Sequence, residues 1–357
     1  MRNITRAITW SAFPEYPQAL LSVLDAILQA KFKSDLISEA CFFNTQKAII
    51  DTLQGPFDWQ ILGHSDLALS KDITEAVVSK IGAELQAEAK EALCLAFSTY
   101  GLCFTAKELA IRKELLLLLN STKTLQNSLI KKSEDFSGKT RDARDHLNNA
   151  GQIRYSTMFR IFEKGVSEQA EQIRASLKHW NTNYLSSYKE GLEEEPPKHP
   201  GFQSFLRQQL EIEFNTSLED FHDHLDFLNF GLKLLNSHAL IQGLSTQVWR
   251  IANDLRILAS GPRGGLSEVT LPAVAPGSSI MPGKLNPVIA EMIYGTCDQV
   301  DANHAGISLS LKSGWLETSG TSAISLKAYL QSVRLLRRSM DCFVSRCLIG
   351  VELNNKK

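Results

Sequence analysis

Gly277-Ser278-Ser279-Ile280-Met281-Pro282-Gly283-Lys284-Leu285-Asn286-Pro287 stands between two long helical patterns and cannot itself be a helix. Its prolines and glycines forbid a regular hydrogen-bond ladder. Its Ser, Lys and Asn side chains are thereby left free to meet a ligand. A plain linker between helices needs Gly and Pro but has no use for a serine pair, a lysine and an asparagine in this order, so the stretch reads as a functional loop.

Outward from the loop the chain is helical in pattern. On its N-terminal side, Phe202 to about Leu258 reads as two long helices jointed near Asn215-Thr216-Ser217, with Ser217 placed to cap the second. On its C-terminal side, Val288 to about Leu311 and Ser325 to about Leu348 are two more. Earlier in the chain the apolar spacing predicts helices over Pro17 to Ala30, Ile73 to Leu95, Leu102 to Lys132 and Gln152 to Lys189. Phe57 to Ser70 reads as a loop, and Ser137-Gly138-Lys139-Thr140 as a break. The proline-rich Gly191 to Gly201 is the clearest linker. No long stretch alternates like a strand, so the class is mainly α, and long patterns with short breaks imply an elongated antiparallel bundle.

Charge is nearly balanced, at net −1 over 357 residues, which gives no reason to expect a nucleic-acid or membrane partner. The six cysteines form no CxxC pair and read as reduced thiols of a cytoplasmic protein, and no run approaches a membrane span. Ser137 to Thr140 carries the end of a phosphate-binding P-loop, but Ser133 stands where its first glycine belongs, and a helix precedes it where a strand is required. Gly277 to Lys284 fails as a P-loop too. His222-Asp223-His224 puts its histidines on different helix faces, so no metal is expected, and no cofactor.

The loop resembles the signature of the aspartase/fumarase lyase superfamily, whose pattern is GSSxMPxKxNP. The likeness extends through Ile251-Ala252-Asn253-Asp254-Leu255-Arg256, Ser260 to Leu266 and Leu271-Pro272. It implies a central helical bundle that assembles as a homotetramer with a multi-helix core, each active site built from three subunits. It also implies an anti-elimination from a succinyl-type substrate, a small dicarboxylate. Ser278 is then the catalytic residue that, as an alkoxide, takes the proton, while Lys284 and Asn286 hold the carboxylate. Backbone N–H groups of the loop and a nearby ammonium suit a lowered serine pKa. The domain division expected from the resemblance is 1–97 as a reduced helical region and 98–357 as the central bundle with the signature loop 277–287, the small C-terminal domain being absent.

Two further family segments are altered. Where relatives read GRTHxQDA, this chain has Gly138-Lys139-Thr140-Arg141-Asp142-Ala143, with Arg141 in the place of the histidine. Arginine can clamp a carboxylate but, being always charged, cannot shuttle a proton. The segment resembling SSNDxxPTA is Ser98-Thr99-Tyr100-Gly101-Leu102-Cys103-Phe104-Thr105-Ala106, with Tyr100 in the place of asparagine. Ser98, Thr99, Thr140 and Arg141 are therefore the expected substrate-binding residues beside Lys284 and Asn286. The family's glycine-rich GTxxGTG loop is not found, and Glu193 to Pro197 stands in its place. The continuation Asn286 to Glu291 looks more like aspartases, so C–N cleavage is the expected chemistry. The alternatives are a C–O lyase of fumarase type and a catalytically silent paralogue that keeps the scaffold.

Overall fold

The computed structural model describes residues 15–54, 77–79, 81–83, 85–87, 89, 99–185, 201–221, 225–261, 264–274, 281, 284, 286–312, 314–315, 318–319 and 322–354. Its helices are α1 (Glu15–Lys33), α2 (Glu39–Gln54), α3 (Thr99–Asp135), α4 (Tyr155–Ser176), α5 (Phe202–Phe214), α6 (Leu225–Leu258), α7 (Val288–Leu311) and α8 (Ser322–Arg346). Short strands fill the breaks: β1 (Thr140–Asp145), β2 (Asn148–Arg154), β3 (Thr182–Asn183), β4 (Glu219–Asp220), β5 (Val269–Thr270), β6 (Gly314–Trp315), β7 (Thr318–Ser319) and β8 (Glu352–Leu353). Every sheet among the described residues is two-stranded, so helices carry the core. The contacts divide the chain into two compact units, and the division falls inside four of the helices.

The first unit comprises residues up to Glu114 with Leu177–Leu235 and Gly306–Leu330. In α1, buried Leu20, Leu24, Ile27 and Leu28 recur at helical spacing and pack the helix against α5 and α2. Truncating any of these leucines to alanine leaves a cavity worth about 2–5 kcal/mol. Glu15 in the first turn of α1 and Lys33 in the last match the helix dipole. Helix α5 stops at Asn215, whose left-handed φ of 51° returns its N–H to Glu211 and Ile212 carbonyls. Arg112 then donates from Nε to the Phe214 carbonyl and from a terminal nitrogen to that of Leu177, both at 2.8 Å, so one cation caps two helical ends. Trp180 is fully buried and meets Phe230 and Tyr329 edge-on.

The second unit comprises Leu115–Ser176, Asn236–Ala305 and Gln331–Lys357. Tyr155, Met158, Phe159, Phe162, Val166, Ala170 and Ile173 make the buried stripe of α4. After α6 the chain doubles back. The Ser267 N–H reaches the Ser260 carbonyl at 2.7 Å and the Glu268 N–H that of Leu258 at 2.8 Å. A Cβ on Gly265 would lie within 2.5 Å of the Gly261 nitrogen, which only glycine avoids. Strand β5 follows and pairs antiparallel with β8, Val269 opposite Leu353.

The helices expected around Leu102–Lys132, Val288–Leu311 and Ser325–Leu348 are all present, but four expectations change. Helix α2 was not anticipated. The pattern read as one helix from Gln152 to Lys189 ends at Ser176, giving way to a 3-10 turn at Leu177–His179 and β3. Ser217 caps nothing, because α6 begins only at Leu225 and β4 intervenes. The stretch 140–154 is a hairpin and not irregular chain. It showed no alternation because both of its faces are largely wet, so no apolar side is required. Of the helix expected over Ile73–Leu95, residues 77–79 and 81–83 are helical and Leu85 is a bend. Phe57 to Ser70, Glu193 to Pro197 and His222-Asp223-His224 lie outside the described residues.

Candidate active site

The hairpin β1–β2 follows α3 directly. Its turn at His146 and Leu147 holds both residues at positive φ, and Gly151, at φ 99°, lies beside the register shift of the ladder. Thr140 is exposed and Arg141 half-buried on β1. Arg141 donates to the Asp142 carbonyl at 2.9 Å, and Arg144 donates to the same oxygen at 3.2 Å. The Arg141 Nε is shielded from solvent and has no hydrogen-bond partner among the described residues. Gln152 steadies the strand by donating to the Asp142 carboxylate at 2.5 Å.

Around this hairpin the unit gathers further charge. Arg144 pairs with Glu268, whose side chain is 1% exposed, and the Tyr155 hydroxyl donates to the same carboxylate at 3.3 Å. Burial, then the charge and hydrogen bond of Glu268, push the Tyr155 phenol up to about 12, with Arg141 and Arg144 opposing. The Asp254 carboxyl is raised by burial, against the pull of Arg250, a hydrogen bond to Asn253 and the charge of Arg141. Asp254 therefore lies within electrostatic reach of Arg141.

The signature stretch is partly described. Ser278, the expected catalytic residue, lies outside the described residues. Lys284 is exposed, and its N–H closes a turn on the Met281 carbonyl at 3.2 Å. Asn286 is half-buried, and the Pro287 carbonyl accepts from Glu291 at 3.1 Å to open α7. A lysine and an asparagine just before a long helix stand beside its free N–H groups, an arrangement that suits a carboxylate. Among the described residues no hydrogen bond or ion pair joins Lys284 or Asn286 to the hairpin. Thr140, Arg141, Lys284 and Asn286 belong to the second unit; Thr99 opens α3 in the first, and Ser98 is outside the described residues.

Sequence reasoning passed over Arg144, Tyr155 and Glu268. The signal available was position: Glu268 lies two residues after the Ser260 to Leu266 segment that already bears the family likeness, and a glutamate immediately before a short strand is an unusual thing to bury. Among the described residues no three His, Cys, Asp or Glu side chains are placed to hold a metal, and no helix is long and apolar enough to cross a membrane.

Comparison with known proteins gives a consistent answer. A family model described as Lyase matches residues 46–301. The aspartate ammonia-lyase of Bacillus subtilis is 26% identical over 95% of this chain and 69% of its own length. The class II fumarate hydratase of Campylobacter jejuni is 33% identical over 64% of this chain, which spans 49% of that enzyme. Among solved structures, a fumarate lyase:delta crystallin from Brucella melitensis superposes over 97% of this chain and 81% of its own, with a TM-score of 0.80 and 22% identity. A class II fumarase from Schistosoma mansoni does so over 95% and 77%, also at TM-score 0.80 and 22% identity.

Proposed function

Since the chain belongs to the lyase family of the aspartases and class II fumarases, we propose that it is an enzyme that eliminates an amine from a succinyl-type substrate, leaving fumarate or a related unsaturated acid. The observation that carries this reading is the unbroken signature run Gly277 to Pro287, in a chain whose second unit also offers a guanidinium with a donor to spare, that of Arg141. The preference for C–N over C–O cleavage rests on the match to an ammonia-lyase along 95% of the chain, against 64% for the Campylobacter fumarase.

The chemistry is the removal of a weakly acidic proton beside one carboxylate while the neighbouring carbon loses its amine. Ser278 takes the proton as an alkoxide. The carboxylate that becomes doubly charged is held by Lys284 and Asn286, whose interaction strengthens as that charge develops. Arg141, with Thr140 beside it, binds the other carboxylate through its fork, and Ser98 and Thr99 belong to a further binding segment. The subunits assemble as a homotetramer in the cytoplasm, region 98–357 forming the shared bundle, and no cofactor is needed.

One residue favours a second reading. Arg141 holds its charge at every working pH, so where relatives use histidine this chain has a binder and not a proton carrier. A silent paralogue that keeps the site for binding would look the same. The test is turnover of aspartate, malate, argininosuccinate and adenylosuccinate, followed by fumarate absorbance. Ser278→Ala should lower turnover by roughly 10²–10⁴-fold with binding retained, the scale of losing a positioned base. Lys284→Ala should weaken binding as well, since it offsets charge already present in the ground state. Undiminished turnover in Ser278→Ala would remove the mechanism, and no turnover across the panel would favour the silent paralogue.

A further inference from the structure

Four parts of the second unit meet at one residue. The Glu268 N–H is held by the Leu258 carbonyl at the end of α6, and its carbonyl accepts from the Asn354 N–H at 3.0 Å. Its buried carboxylate takes Arg144 of the hairpin and the Tyr155 hydroxyl at the start of α4. Main chain and side chain are therefore both fixed, nine residues before the signature run begins.

Strand β1 carries two guanidiniums, Arg141 and Arg144, and both donate to a single oxygen, the Asp142 carbonyl, at 2.9 and 3.2 Å. Both charges also bear on the Tyr155 phenol, so the two forks crowd one small region. They repel each other there unless one is neutralised. Arg144 is neutralised by Glu268 and pulled toward β5; Arg141 keeps an unpartnered Nε.

We propose that Glu268 is a positioning residue for substrate binding: by tying down Arg144 it leaves Arg141 as the β1 guanidinium with a donor to spare and sets the direction in which that fork meets a carboxylate. The idea rests on the reading of Arg141 as the carboxylate binder. Without Glu268, Arg144 loses its counter-charge and stands as an uncompensated positive charge beside Arg141, and the fork loses its pose.

The test is calorimetric binding of succinate, an unreactive dicarboxylate, to the full chain and to Glu268→Gln, Arg141→Met and the double variant. Glu268→Gln should weaken succinate binding by about tenfold or more, the scale of one charge-assisted hydrogen bond. Glu268→Asp should recover part of the loss. In the Arg141→Met background Glu268→Gln should have no further effect, because its action runs through that arginine. A lowered melting temperature with unchanged affinity, or losses that simply add in the double variant, would overturn the proposal. If Glu268→Gln does not fold, Tyr155→Phe removes one hydrogen bond from the same carboxylate and should weaken binding by about threefold; no change there overturns it equally. Fumarate release by the wild type is scored separately. Intact succinate binding with this coupling but no turnover refutes the lyase reading alone, whereas failure of the wild type to bind succinate refutes the positioning role.

Discussion

Each unit buries a carboxylate against cations, but the surroundings differ. In the first, Glu108 is fully buried on α3, pairs with Lys233 of α6 and accepts from the Tyr184 hydroxyl at 3.3 Å. Aromatic rings wall the cluster: Lys233 lies 4.6 Å over Trp180, and the buried Lys107 4.1 Å over Phe104. Burial pushes the Glu108 carboxyl up to about 7, against Lys233, and draws the Lys107 ammonium down to about 8. In the second, Glu268 holds the hairpin, the reversal after α6, the start of α4 and the residue after β8, and an arginine on the same hairpin keeps a donor to spare. A buried charge held mainly by helices is consumed in holding the helices together. A buried charge among loops can transmit its position to a neighbour that still has bonding capacity.

The contrast breaks first at Glu108. Glu108→Ala strands Lys233 in an aromatic layer and should cost about 3–5 kcal/mol in urea denaturation, while succinate binding at the hairpin keeps its affinity. A loss of binding in step with stability would erase the distinction between the two clusters.

Acid sharpens it next. His238 is fully buried, its Nδ1 3.1 Å from that of His304, and burial followed by the His304 charge lowers it to about 3. The unfolded chain takes this proton near pH 6.5 and the folded one does not, so stability is full above pH 6.5 and falls as pH drops below it. The slope is about 1.4 kcal/mol per pH unit, or ~3 kcal/mol by pH 4.5. His238→Asn should flatten that limb of a denaturation series relative to wild type; parallel limbs would refute the assignment.

Gly265→Ala comes third. Its Cβ meets backbone and not a movable side-chain end, so it should cost about 1–3 kcal/mol, and it should weaken succinate binding as well, because it disturbs the reversal that delivers Glu268. The smallest effect belongs to Lys113 and Glu213, an ion pair at 3.0 Å between α3 and α5 in the same unit as Glu108. Both side chains are exposed, and Lys113→Ala should change stability by less than about 1 kcal/mol. Comparing this pair with Glu108 measures what burial adds to the same chemistry.

The helices were legible in the sequence where one face is apolar and the other wet, as in α4, α7 and α8. The limits of α6 were not, since a turn serine at Ser217 carries the same signal whether it caps a helix or leads into a short strand. The hairpin escaped because strand patterning reports burial, and this hairpin has little of it. At the site, Gly277 to Pro287 named the family by the order of its residues, and Arg141 announced itself as a substitution. Glu268, Arg144 and Tyr155 did not, because each is ordinary alone and acquires meaning only when the fold closes a sequence separation of 124 to bring Arg144 to Glu268.

The pairing of β5 with β8 also sets an order of events during synthesis. Thr270 hydrogen-bonds to Asn354, a residue made 84 positions later. At roughly 5–20 residues per second the ribosome takes roughly 4–17 s to supply that partner. Helices α7 and α8 emerge in the meantime and can fold from local contacts, whereas the strand that leads into the signature run waits for its mate. The newborn chain therefore has its scaffold before β5 has its partner, and a nascent chain stalled anywhere before Glu352 carries the signature run without the β5–β8 pairing that precedes it in sequence.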